Sequence, residues 1–126
     1  MNYALFAAGI LAILVGLIHA ILGEILIFKR LRKNSIVPNV TRSILHTRHI
    51  SIIWATWHIA TLFGWSIAGV LILFSLNTQI SDTFASVIHF IAFGMLASSC
   101  LVLFATKGKH PGWIGLLAVA ILCWIS

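Results

Sequence analysis

Residues 4–28 read ALFAAGILAILVGLIHAILGEILIF, a run that carries one charge, Glu24, and one histidine, His19. At about 1.5 Å of rise per residue, a helix of this length exceeds the roughly 30 Å of a bilayer's hydrocarbon core. The stretch reads as a membrane-spanning helix, and that reading sets the fold of the whole chain. Two more runs repeat it, at 50–76 and at about 84–105. A fourth begins at Pro111, a residue suited to a helix's first turn, and reaches 126. Its uninterrupted apolar part, 112–125, covers only about 21 Å, so it must use Pro111, thin the bilayer locally, or stop partway. The expected fold is all-α: an integral membrane four-helix bundle, up-and-down, forming one transmembrane domain over 1–126 with one real connection at 29–49.

Composition agrees with the spans. Of 126 residues, 61% are hydrophobic and 8% charged, whereas an average globular chain is about 25% charged. The formal charge of +6 comes from eight bases against two acids. It does not indicate nucleic acid, because no solvent-exposed domain offers a basic face with interleaved aromatics. It indicates orientation. Lys29, Arg30, Arg32, Lys33, Arg42 and Arg48 fall in or beside the first connection, Lys107 and Lys109 in the third, and the second, 75–82, has none. The positive-inside rule places the basic connections in the cytoplasm and both termini outside, as in a bacterial inner membrane. Met1-Asn2-Tyr3 lacks a basic leader and no small-residue cleavage motif follows, so the first helix is expected to be retained. Residues 41–49 can extend the second span upstream as a basic helix at the headgroups. Cys100 and Cys123 are expected at different depths, which argues against a disulfide.

Titratable groups inside spans are costly and are functional candidates by default. They are His19 and Glu24 on the first helix, His58 on the second and His89 on the third. Counting along each helix puts His19 and His58 level, roughly 12 Å inside the cytoplasmic surface, with His89 about 6 to 9 Å further from the cytoplasm. The surrounding faces carry a second signal. Gly9, Ala12, Gly16, His19 and Gly23 form one stripe of small residues around an imidazole, where another helix or a flat cofactor can approach the backbone. Trp54, His58, Thr61, Trp65 and Gly69 share a face of the second helix, and Ser86, His89, Phe93, Leu96 and Cys100 a face of the third. The other tryptophans suit interfacial belts; Trp65 lies too deep for that.

Three imidazoles from three helices would suit a transition metal, and the nitrogen-rich set favours copper, or a dinuclear centre, over structural zinc. The expected ligands are His19, His58 and His89, with Glu24 and His49 in support. The function that follows is a metal-dependent membrane oxidoreductase, taking electrons from a donor such as a quinol. Haem b held by His19 and His58 is the alternative cofactor. Two further alternatives use the same residues: a small proton-coupled or metal-ion carrier, and a structural subunit whose histidines are satisfied by Ser and Thr on neighbouring helices. His46, His49 and His110 cluster at the cytoplasmic boundary, as a second site or simply at the headgroups. Glu24 lies close enough to that boundary to pair with an arginine such as Arg48. So small a bundle leaves faces uncovered, and a homo-oligomer or a larger membrane complex is expected.

Overall fold

The computed structural model describes residues 1–40, 46–76, 82–106, 108 and 111–126. Arg42, Lys107, Lys109 and His110, most of the second connection and most of the basic stretch 41–49 lie outside the described residues. Among those described there is no strand; four α-helices follow one another, α1 (Tyr3–Leu26), α2 (Thr47–Ser75), α3 (Asp82–Thr106) and α4 (Gly112–Trp124). α1, α2 and α3 are long and apolar enough to cross a membrane. α4 has 13 residues, about 20 Å of helix, so it falls short of a full span by itself, as its composition implied.

Each helix boundary has a local cause. Asn2 begins α1 by accepting the amides of Ala4 and Leu5 on its Oδ1 at 3.1 and 3.2 Å, the work of an N-cap residue. At the other end the helical pattern persists to Ile27, whose amide reaches the Gly23 carbonyl at 3.1 Å. The chain then tightens into a 3-10 turn, Phe28–Leu31, instead of continuing α1 to residue 28. α2 begins at Thr47, three residues before the apolar run, because His49 and Ile50 already donate to the His46 carbonyl.

The chain divides into two compact units. The first comprises Met1–Val15 and Gly64–Ser126. Its core draws Leu5, Ala8 and Ala12 from α1, Ala68 and Leu71 from α2, Ile88, Ala92 and Met95 from α3, and Val119, Ala120 and Cys123 from α4. Small residues bring the backbones close. A β-carbon at Gly9 would meet the Ala68 carbonyl at 3.0 Å and Ile72 Cγ1 at 2.5 Å. Here α1 and α2 run antiparallel: the Asn2 amide donates to the Ser75 carbonyl at 2.7 Å, and Trp65 Nε1 donates to the Ile13 carbonyl at 3.2 Å. Trp65 therefore fastens two helices, which accounts for its depth. α3 and α4 are tied by Ser99 Oγ donating to the Trp113 carbonyl at 2.7 Å. Phe90, Leu101 and Phe104 point outward, Phe104 at 85% exposure, a surface suited to hydrocarbon and too apolar for an isolated domain in water.

The second unit is Gly16–Phe63. It joins the C-terminal part of α1, the 3-10 turn and the N-terminal part of α2, and it contains His19, Glu24 and His58.

Candidate functional site

Gly23 shapes the site. A β-carbon there would fall inside the indole of Trp57, so only glycine leaves room for that ring against α1. Seated so, Trp57 donates from Nε1 to the His19 carbonyl at 3.2 Å and stacks on the His19 ring, centroids 4.2 Å apart and planes within 8°. The small-residue stripe thus admits an aromatic side chain of this chain at Gly23. After the helix ends, the 3-10 turn folds Phe28 inward until it is 1% exposed. Its ring lies edge-on to Trp57 at 5.8 Å and tilted beside His58 at 6.3 Å.

With Trp57 fixed, the neighbouring face of α2 meets Glu24. Trp54 and His58 are four residues apart and project from one face. Trp54 Nε1 donates to Glu24 Oε2 at 3.2 Å, and His58 Nε2 lies 3.3 Å from the same oxygen. An ionised carboxylate can only accept, so in this contact Nε2 of His58 is the donor. The other oxygen, Oε1, forms an ion pair with Arg32. Trp54 packs edge-on to His58 at 4.9 Å. About 70% of the Glu24 and His58 side chains is covered, leaving an edge that water can reach.

Of the residues singled out in the sequence, the structure brings Glu24 and His58 into contact and sets His19 beside them on Trp57. His49 stands exposed at the start of α2, its ring 5.6 Å from that of His46. His89 belongs to the other unit, exposed on α3. The arginine on Glu24 is Arg32, not Arg48, because the tightened turn after Ile27 folds Arg32 back; on a straight helix it would lie about 12 Å along the axis. No group of three or more His, Cys, Asp or Glu side chains among the described residues stands close enough to hold a metal ion. Cys100 and Cys123 are both free thiols.

Arg32, Trp57 and Phe28 were not anticipated as members of the site. The break that recruits Arg32 and Phe28 has no proline to announce it. Trp57 could have been found by asking what fills the hollow at Gly23, since a glycine on one helix leaves space that a backbone or a large side chain on the next can occupy. No protein-family model matches this chain, and neither does any curated protein or solved structure.

Proposed function

We propose that this is an integral membrane protein, an up-and-down four-helix bundle of the bacterial inner membrane with both ends outside, in which His58 and Glu24 form a proton-transfer site near the cytoplasmic face. The observation that supports it most directly is Glu24 Oε2, shared by Trp54 Nε1 at 3.2 Å and His58 Nε2 at 3.3 Å. Trp54 and Arg32 hold the carboxylate still, and the carboxylate fixes the tautomer of His58. A proton arriving at Nδ1 makes an imidazolium whose charge faces a carboxylate already in place, so little has to move. The proton enters at Nδ1 from water at the exposed edge and is passed on toward the outer side, as a proton carrier requires. A half-buried carboxylate–imidazole pair with no route for protons would be an expensive way to join two membrane helices, because such polar contacts contribute only about 0.6 kcal/mol on average.

Proton uptake tests this. In proteoliposomes with an internal pH dye and an imposed inward-negative potential, the wild-type protein should take up protons, and His58→Phe and Glu24→Gln should each slow uptake at least tenfold. Equal rates in folded variants would refute it.

A second reading keeps the metal. Ligating histidines commonly donate their second ring N–H to a carboxylate, and His58 makes that contact with Glu24. In this reading His58 Nδ1 is one ligand of copper, or His58 and His19 serve haem b, in a quinol-oxidising protein. Elemental analysis and a visible spectrum of the protein purified without chelator decide it. Exposed faces, His89 among them, favour assembly as a homo-oligomer or in a larger membrane complex.

A further inference from the structure

The segment after α1 is a built loop. Asn39 closes it from both sides: its Oδ1 accepts the Lys33 amide at 2.8 Å and its Nδ2 donates to the Lys33 carbonyl at 2.9 Å. The amides of Asn39 and Val40 both reach the Leu31 carbonyl at 2.9 Å. Asn34 turns the chain at a φ of 54°, in the left-handed region that asparagine tolerates. Pro38 is fully buried, and its carbonyl accepts Ser51 Oγ at 3.2 Å, which ties the loop to the start of α2. Yet this ordered loop presents Ile36 outward at 81% exposure, next to the exposed Val37. Lys29, Arg30 and Lys33 are exposed earlier in the same segment, and Arg48 is exposed at the start of α2. No acid occurs anywhere in 25–76, and the carboxylate of Glu24 is engaged by Arg32.

An exposed isoleucine on a hydrogen-bonded loop, in a stretch of sequence rich in exposed cations and free of acids, matches an anionic interface: apolar side chain into the headgroup boundary, cations against phosphate. From this we infer that the 28–40 loop anchors to the anionic lipid surface, Ile36 entering the headgroup–acyl boundary while Lys29, Arg30, Lys33 and Arg48 take lipid phosphates. The loop then lies in the plane of the bilayer surface, directly after the helix that carries Glu24. The inference needs α1 and α2 to be in a membrane but does not need His58 to transfer protons.

A nitroxide on Ile36→Cys in a Cys100→Ala background, in nanodiscs of phosphatidylglycerol or phosphatidylcholine, tests it. In phosphatidylglycerol the label should collide more often with oxygen than with a water-soluble nickel chelate. Replacing Lys29, Arg30, Lys33 and Arg48 by Gln should reverse that preference. Native mass spectrometry should show phosphatidylglycerol retention falling about fivefold per charge removed. A water-accessible label in phosphatidylglycerol, retention unchanged in the fourfold variant, or the same label shift in phosphatidylcholine with millimolar inorganic phosphate would each overturn it.

Discussion

In the unit of Met1–Val15 and Gly64–Ser126, α1 and α2 close on alanine and aliphatic side chains, with Ala8, Ala68 and Leu71 entirely covered. In the unit Gly16–Phe63 the same two helices close on Trp57, His19, Trp54, His58 and Glu24. The first seam is what membrane helices use when they need only to associate, with small residues, close backbones and dispersion contacts. The second keeps a carboxylate, a guanidinium and two imidazoles in a region where each is costly, and surrounds them with indoles that supply both apolar surface and an N–H. One helix pair therefore separates two roles along its length. Cohesion belongs to the small-residue seam, and the titratable side chains to the aromatic one.

The largest expected effect breaks the aromatic seam. Trp57→Ala removes the stack on His19, the bond to its carbonyl, the edge contact from Phe28 and the filling of the Gly23 hollow, for a loss of about 3 kcal/mol. Gly23→Ala alone should cost about 2 kcal/mol, since its methyl would meet the indole. In the Trp57→Ala background the same change should cost almost nothing, because the space is vacant. Denaturant titrations in detergent micelles, arranged as a double-mutant cycle, should give a coupling near 2 kcal/mol. Additive losses would mean that Gly23 does not seat Trp57.

A smaller effect separates stability from function at Glu24. Glu24→Gln keeps the shape but removes the charge facing Arg32 and His58, and should cost about 1 to 2 kcal/mol, less than a fully buried pair because a third of the side chain meets solvent. Trp54→Phe removes one donor and should cost about 0.6 kcal/mol. Proton uptake should rank them differently, with Glu24→Gln losing at least tenfold and Trp54→Phe keeping most of the rate. If uptake merely followed stability in both variants, the seam would be structural.

The helices were legible because hydropathy and length are local properties: residues 4–28, 50–76, 84–105 and 111–126 each contain most of the helix that forms. Ends were less so, as the cap at Asn2 and the break at Ile27 depend on side-chain geometry that apolar periodicity does not encode. Within the site, Glu24 and His58 stood out because titratable groups are rare in spans. Their pairing did not, since depth counting sets His58 level with His19 and leaves Glu24 nearer the cytoplasmic boundary. The count measures height along an axis and ignores rotation about it. Trp54 and His58 reach Glu24 because they share a face of α2, while Trp57, one residue before His58, turns toward His19 instead.

Two glycines of the small-residue seam's own unit, set side by side, give the last comparison. At Gly9 a β-carbon would meet a backbone carbonyl at 3.0 Å, whereas at Gly94 on α3 nothing lies within 4 Å. Gly9→Ala should therefore destabilise by about 1 to 3 kcal/mol through overpacking. Gly94→Ala should stabilise the monomer in micelles by up to about 1 kcal/mol, the difference in helix propensity. Gly94 also borders an open groove lined by Ile67, Phe90 and Ser98, so the same substitution carries a second reading in a bilayer. If copies of the chain meet along this groove, Gly94→Ala should weaken their association in a fluorescence energy-transfer measurement while the monomer becomes more stable. Opposite signs from one methyl group would assign the groove to assembly, and a gain in both measurements would leave α3 facing lipid there.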